Sequence, residues 1–340
     1  MDANLNSQTK TGKLLKPQRI WKWEIAFYLY MAGMGAGSFI IGMIIHWFVK
    51  PTVPITLFGF NVDIANPALL WGPIFVAVGA PFLILDLGIK KRFLYACLNP
   101  RTSWLARGFF ILSVFIVLGL VVFGASFLYP QILINRSAPW LALEVISVIL
   151  AFSTAIYTGV LLKSVKYIPV WNTPLLPVLF LASALSTGSM GIILAMLGSG
   201  LLFPPADTLA AVAHSVVAYE RILIVVEALI LAFYLYSRYR AKDQGETSVR
   251  LLLSGKLKPL FWGGIVLIGF VFPIVLEYIS SCCPSYPELL YATGIFLLCG
   301  GFFLRLGVLA SGVKEQLPMR RYIEMKYQLG VSNPSPPPER

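Results

Sequence analysis

Six carboxylate and guanidinium side chains lie inside long apolar stretches of this 340-residue chain. Three of them share one stretch, in which Glu220 and Glu227 are seven residues apart and Arg221 follows the first. This spacing places two side chains on nearly the same face of a helix, because two helical turns take about seven residues. The other three are Glu144, Glu277 and Arg305, which could join the first three in the interior of the helix bundle. Such residues are candidates for transferring protons between buried groups.

The position of these six residues leaves two roles open. An ionisable side chain at the middle of a membrane-spanning helix costs about 2.5–3.5 kcal/mol, so it is a functional candidate and normally faces the bundle interior. One role is a set of interhelical ion pairs that hold the helices together. The other is a relay that moves protons. The two roles are compatible.

A second group of polar side chains is expected near one face of the membrane. Odd-numbered spans begin on that face and even-numbered spans end on it, so the residues lie at similar depth. A carboxylate or phenol at the rim of an apolar cavity can hydrogen-bond a quinone carbonyl and exchange its proton. Taken singly, each tyrosine is also typical of an interfacial aromatic belt. The group comprises Glu24, Tyr28, Tyr30, Asp86, Tyr157 and Thr158.

The composition requires that membrane helices position these groups. Hydrophobic residues make up 58% of the chain and charged residues 12%, against about a quarter charged in soluble domains. A span needs roughly 20 apolar residues, and continuous runs of that length are typical of helices. We therefore predict an all-α integral membrane protein with eight transmembrane helices, at approximately 23–48, 65–87, 104–125, 138–162, 172–197, 207–236, 259–280 and 287–311.

The basic residues are distributed unequally between the two sides of this topology. The side that carries both termini and the even-numbered loops, called the basic face below, holds 23 of the 27 lysines and arginines. By the positive-inside rule, both termini lie in the cytoplasm. We therefore expect a multi-pass protein of the inner membrane of a prokaryotic cell. The net charge of +12 is explained by topology and contact with anionic membrane lipid, so a nucleic-acid partner is not expected.

The histidines and cysteines limit the metal centres that this protein can hold. His46 and His214 are the two histidines, whereas the usual two-haem arrangement with paired histidine ligands needs four. One haem is geometrically possible, and ordinary polar contacts are the alternative. The four cysteines contain no CxxC pair, so we expect neither an iron–sulfur cluster nor a zinc site in this chain.

Several short motifs resemble the NrfD-like family, the polysulfide reductase membrane subunits. The most specific lie after the second span, where DLGIKKRF at 86–93 is followed by LNPRTSW at 98–104. Similar patterns occur in the first six spans, roughly 21–236. They are Tyr28-Leu-Tyr with Gly33 to Gly37, Tyr157-Thr-Gly159 with Trp171-Asn172 and Pro177, and Arg221 with Glu227.

The resemblance implies a quinone-binding subunit without haem, built as two four-helix bundles. In this chain they correspond to 23–162, with the quinone site, and 172–311, between a basic arm at 1–22 and a tail at 312–340. The partners implied are an iron–sulfur electron-transfer subunit and a molybdopterin or multihaem catalytic subunit. Tyr157 corresponds to the phenol that hydrogen-bonds the quinone. Ile25 and Tyr28 replace a family asparagine and histidine, which leaves Glu24 or Tyr28 as the ligand from the first span.

The resemblance and the charge rule disagree on orientation. In exported members of the family the quinone site and its partner face outward, whereas the charge rule places the same face in the cytoplasm. The sequence also leaves open two other functions. A secondary transporter or channel is consistent with Pro73, Pro81 and Pro177, although the two halves show no clear repeat. A proton-translocating module would add charge movement to the quinone chemistry, and the quinone type remains open.

Overall fold

Helices form almost all of the structure. The computed structural model describes residues 23–48, 55–57, 60–62, 65–85, 103–128, 137–202, 207–241, 243–282 and 288–314. The helices and strands in these ranges are α1 (Trp23–Phe48), β1 (Ile55–Leu57), β2 (Phe60–Val62), α2 (Asn66–Leu85), α3 (Trp104–Leu128), α4 (Ala138–Lys163), α5 (Leu175–Leu202), α6 (Asp207–Arg240), α7 (Gln244–Leu253), the π-helix π1 (Leu260–Val271), α8 (Phe272–Cys282) and α9 (Glu288–Ala310). Strands β1 and β2 pair as an antiparallel hairpin between α1 and α2.

Membrane-spanning length and composition are found in seven helical segments of the described ranges. These are α1 to α5, π1 continued by α8, and α9. Helix α6 has 34 residues but falls outside that set, and it carries Glu220, Arg221 and Glu227. The helical fold and multiple spans are thus confirmed, whereas the count of eight stays a prediction.

Helix α1 is the centre of the described packing. In its membrane-spanning window, 83% of the residues are buried, and it contacts α2, α4, α5 and α9. Glycine makes these contacts possible, because a Cβ on Gly37 would overlap the backbone of Ala184 in α5. On another side, a Cβ on Gly35 would overlap the Gly72 carbonyl oxygen of α2. Small residues therefore bring α1 close to its neighbours, as is typical of membrane bundles.

Most of the other contacts in the first half of the chain join helices that are neighbours in sequence, whereas α9 also packs on elements further back in the chain. Helix α2 packs on α3, α3 on α4, α4 on α5 and α5 on α6, while α9 packs on π1, α8 and α5. Helices α1 to α4 thus form a closed ring, since α1 also contacts α4. The division into two four-helix bundles with the stated domain boundaries stays a prediction.

The α4–α5 connection is fixed to the ends of two later helices. Trp171 is buried, and its Nε1 donates to the Val308 carbonyl oxygen of α9 at 2.8 Å. The Tyr234 hydroxyl of α6 donates to the Val170 carbonyl oxygen at 2.8 Å. Because each bond joins distant parts of the sequence, the connection ties the end of α4 to α6 and α9. It thereby fixes the helix end that carries Tyr157.

Candidate functional site

Two buried phenols converge on the side of the α1–α4 ring that is nearest the basic face. Tyr28 in the second turn of α1 is 0% exposed and Tyr157 in α4 is 3% exposed. The two lie close enough to interact electrostatically. The Tyr157 ring packs directly on Gly108 of α3, where a Cβ would overlap the ring and its hydroxyl. Three helices of the ring therefore build this pair, which we call the phenol pair.

The remaining residues of this group are placed less closely. Thr158 is buried, but its hydroxyl donates to the Ala155 carbonyl oxygen of its own helix at 2.7 Å. Glu24 lies in the first turn of α1, half-buried, and its Oε2 has no hydrogen-bond partner in the described part of the protein. Asp86, like residues 98–102 of the family-like loop, lies outside the described residues.

A second cluster joins three buried carboxylates and one buried guanidinium. Glu220 and Glu277 lie side by side, with 0% and 1% exposure. Glu227, two helical turns further along α6, lies within electrostatic range of Arg305 of α9. The expected proximity of these residues is thus present in the structure. We call Glu220, Glu227, Glu277 and Arg305 the interior cluster.

Arg305 is the best-connected member of the interior cluster. Its Nη1 donates to the Ser183 hydroxyl at 2.8 Å and to the Gly301 carbonyl oxygen at 3.0 Å. The guanidinium carbon lies 5.6 Å from the ring centre of Tyr30 and 5.4 Å from that of Phe180. Cation–π contact with two rings compensates part of the desolvation of a buried charge. Tyr30 therefore contacts the interior cluster through Arg305, although it lies only two residues after Tyr28 of the phenol pair.

Serines of α5 connect the carboxylates. The Ser186 hydroxyl donates to Glu220 Oε1 at 3.5 Å, and Ser183 and Ser186 both lie beside the Glu227 carboxylate. Ser183 and Ser186 are not among the site residues expected from the sequence. The signal was their polar spacing, because Ser183, Ser186 and Thr187 lie at intervals of three and four residues in an apolar helix and share one face.

Arg221 lies at the edge of the interior cluster. Its Nε is 3.2 Å from Glu277 Oε2, and its side chain is 48% exposed, whereas the Glu277 side chain is fully buried. A small cavity beside Glu227, lined also by Thr187 and Gly301, has room for about one water molecule. Charge and hydroxyl groups therefore continue from the exposed Arg221 to the buried Arg305.

Glu144 belongs to a separate cluster near the opposite face. Its Oε1 lies 3.4 Å from His46 Nε2, and its Oε2 accepts from Trp47 Nε1 at 2.8 Å. Glu144 and His46 are both buried. Tyr28 and His46 are 18 residues apart in α1, which corresponds to about 27 Å. The expected grouping of Glu144 with the α6 carboxylates is therefore not seen. His214 lies in α6, but its side chain is outside the described part.

Comparison with known proteins agrees with this architecture. The family described as "Polysulphide reductase, NrfD" matches residues 13–315 of the sequence. The chain belongs to the NrfD family. Family membership and the membrane-spanning helices together identify a multi-pass integral membrane protein.

Three relatives of the NrfD family align over nearly their whole length. The polysulfide reductase subunit designated C, from Wolinella succinogenes, is 29% identical over 86% of this chain and 94% of its own length. A protein NrfD homolog of Haemophilus influenzae is 26% identical over 87% of this chain and 95% of its own. Protein NrfD of Escherichia coli is 25% identical over 89% of this chain and 98% of its own length. The family match at 13–315 covers all the helices that carry the phenol pair and the interior cluster.

Proposed function

We propose that this NrfD-family protein is the quinone-binding membrane subunit of an oxidoreductase complex. The observation that carries the proposal is the phenol pair, in which Tyr28 and Tyr157 are buried together beside Gly108. The name of the Wolinella relative designates it by letter as one component of polysulfide reductase. A membrane subunit of this kind supplies binding and proton transfer, while the redox centres belong to the quinone and to partner subunits.

The chemistry assigned to the phenol pair is hydrogen bonding to a quinone oxygen. A phenol O–H donates to a quinone carbonyl and accepts from a quinol hydroxyl, so it can bind both redox states. Oxidation of the quinol releases both electrons to an iron–sulfur partner and both protons to nearby groups, and the reverse reaction uses the same contacts. Glu24, with a buried oxygen near the start of α1, is the proposed carboxylate for this exchange. A molybdopterin or multihaem subunit would complete the complex.

Replacement of Tyr157 by Phe tests this assignment. The change keeps the ring on Gly108 and removes the hydroxyl, which costs a hydrogen bond of about 1 kcal/mol and should lower quinone turnover about fivefold to tenfold. Turnover is measured with the purified complex and a water-soluble quinol analogue. Tyr167→Phe is the matched control, because Tyr167 is 52% exposed. Equal turnover of both variants and intact assembly would refute the role of Tyr157.

Gly108 provides an independent test through position. In Gly108→Ala the new Cβ overlaps the Tyr157 ring, so the phenol has to move while its hydroxyl is retained. We expect weaker quinone binding, seen as a higher KM for the quinol analogue. Gly124→Ala in the same helix is the control, because nothing lies within 4 Å of that Cβ. If both variants keep the wild-type KM, the site lies elsewhere.

The interior cluster favours a second activity, proton translocation coupled to the quinone reaction. Buried acids connected by hydroxyl groups are the parts of a proton relay, and Glu220 has an oxygen without a hydrogen-bond partner in the described residues. In proteoliposomes, Glu220→Gln should lower the number of protons moved per electron while electron transfer is kept. Glu246→Gln in α7, outside the interior cluster, is the control, because Glu246 is partly exposed and pairs with Arg250. Parallel loss of both activities would indicate a structural role.

The partner subunits are tested by copurification. Extraction of the protein from its native membrane in mild detergent is expected to retain a subunit with iron–sulfur absorbance. Purification of this subunit alone as an active carrier would favour the transporter alternative. The side of the membrane on which the partner binds follows from protease access to the same complex.

A further inference from the structure

An open apolar groove lies between α6 and π1, and its deep end shares Phe270 with the small cavity beside Glu227. Its volume is about 590 Å³, within the range of pockets that hold small molecules. One wall is a single face of α6 from Ala228 to Tyr239, and the other is π1 from Phe261 to Phe270. Helix α7, which contacts both elements, closes the end nearest the basic face. The groove is therefore a defined concavity rather than the convex outer surface of a helix.

The two ends of the groove differ in chemistry. Its deep end is lined by Ala228, Leu231 and Phe270, which have no polar side-chain atoms. Its mouth is lined by Tyr236 and Tyr239, and an arginine lies over each ring. Arg240 is 5.2 Å from the ring centre of Tyr236, and Arg250 is 5.7 Å from that of Tyr239. A ligand that fits has an apolar tail and a negatively charged head.

The segment that includes the end of α6 and all of α7 is positive overall. Residues 237–258 contain six basic and two acidic side chains. Arg250 forms an ion pair with Glu246, in which Arg250 Nη2 lies 2.8 Å from Glu246 Oε1. Arg240 is exposed and has no ion pair with the described residues. It is therefore the guanidinium available to an anion.

The depth of the groove corresponds to one leaflet of a bilayer. Ala228 and Tyr239 are 11 residues apart in α6, which corresponds to about 16 Å. Half of the hydrocarbon core is about 15 Å thick. Aromatic residues at the mouth, including Trp262, match the headgroup level of a membrane. An acyl chain that enters at the mouth would thus end at the deep end of the groove.

We propose that this groove binds one anionic phospholipid, with an acyl chain along α6 and the phosphate at Arg240 and Arg250. A quinone ring is uncharged, so it could accept from Tyr236 or Tyr239 but would not use the positive charge of Arg240 and Arg250 at the mouth. A zwitterionic phospholipid would fit the apolar part but would not use the excess positive charge. The site is independent of the quinone function proposed above.

The test uses the intact complex in detergent, titrated with phosphatidylglycerol or with phosphatidylethanolamine of the same acyl chains, and counts bound lipid by native mass spectrometry. We expect one phosphatidylglycerol to remain bound at concentrations where phosphatidylethanolamine is lost. Equal retention of the two lipids would overturn the proposal. It would also be overturned if a quinone or a helix of a partner subunit is found in the groove.

Two charge variants test the position of the headgroup, because they should change the affinity for phosphatidylglycerol in opposite directions. A basic residue at the membrane surface contributes about fivefold to the binding of anionic lipid, so Arg240→Gln should weaken binding of phosphatidylglycerol about fivefold. Glu246→Gln removes the carboxylate that shares Arg250 and should strengthen binding. Lys166→Gln, exposed on the same face but outside the groove, should change nothing. Identical affinity in Arg240→Gln and wild type would contradict the headgroup assignment.

A steric variant assigns the acyl chain. Ala232→Trp fills the middle of the groove from α6 and should abolish retention of the lipid. Ala77→Trp is the control, because Ala77 is exposed on the surface of α2 outside the groove. Both variants should assemble and turn over quinol, which shows that lipid loss is not a consequence of unfolding. Normal retention in Ala232→Trp would place the lipid elsewhere and overturn the proposal.

Discussion

Replacement of Arg305 by Gln is expected to destabilise the protein more than any other single change of charge in the described residues. Arg305 is fully buried, and its loss would leave Glu227 as a buried carboxylate without its positive neighbour. The change also removes the donor to the Ser183 hydroxyl and the Gly301 carbonyl oxygen, and a buried polar group left without its partner typically costs about 1–3 kcal/mol. We expect lower accumulation in the membrane and a lower unfolding temperature in detergent. Lys166→Gln, which alters an exposed lysine between α4 and α5, should leave both unchanged.

A double substitution separates the effect of charge from the effect of packing. In Arg305→Gln with Glu227→Gln, both charges are absent, so much of the stability should return even though the contacts with Tyr30 and Phe180 are weakened. Stability is read from the unfolding temperature of each variant in the same detergent. If the double variant is as unstable as the sum of the single ones, the electrostatic pairing of Arg305 and Glu227 does not hold the helices together.

The helix positions could be predicted because the bilayer sets them. Each span has to cover a fixed apolar thickness, so the apolar runs show where helices begin, to within three residues in every described case. The fifth span, expected from 172, begins at Leu175, because Trp171 and Thr173 form turns that anchor the preceding connection. The π-helical pattern of π1 was not predictable. It changes which backbone groups pair and leaves the apolar composition as in an α-helix.

The interior cluster could be predicted in part. The sequence spacing within α6 places Glu220 and Glu227 on one face, and this follows from helical geometry alone. Which helices face each other is a tertiary property, so the spacing could not show that Glu277 pairs with Arg221. For the same reason Glu144 was grouped with the α6 carboxylates, although its neighbour is His46. Periodicity indicates the face of a helix and leaves its partner undetermined.

The proximity of the two tyrosines in the phenol pair could be predicted only as a similar depth in the membrane. Topology indicates that Tyr28 and Tyr157 lie at similar depth, because α1 begins and α4 ends on the same face. It does not indicate that the two side chains come close enough to interact electrostatically. Gly108 is the clue in the sequence that remained unused, because a glycine in a long apolar helix often marks the close approach of a neighbour. Packing of the ring on that glycine is visible only in three dimensions.

Gly37→Ala is expected to disrupt the packing of α1 through a single added methyl group. The new Cβ would overlap the backbone of Ala184 in α5. Gly188, one turn further along α5, also approaches the backbone of Gly37 closely. A backbone cannot move aside as a flexible side chain does, so α1 and α5 have to separate along their contact. Overpacking of this kind costs roughly 1–3 kcal/mol, occasionally more. We expect a lower unfolding temperature in detergent and reduced assembly with partner subunits.

Gly124→Ala distinguishes this steric effect from the general effect of replacing a helical glycine. Nothing lies within 4 Å of a Cβ at Gly124, so the added methyl group meets open space. Alanine is favoured over glycine in a helix by about 1 kcal/mol, so this variant should be as stable as the wild type or more stable. Because both substitutions are the same chemical change, equal stability of the Gly37 and Gly124 variants would show that the close contact of α1 with α5 is not required for the fold.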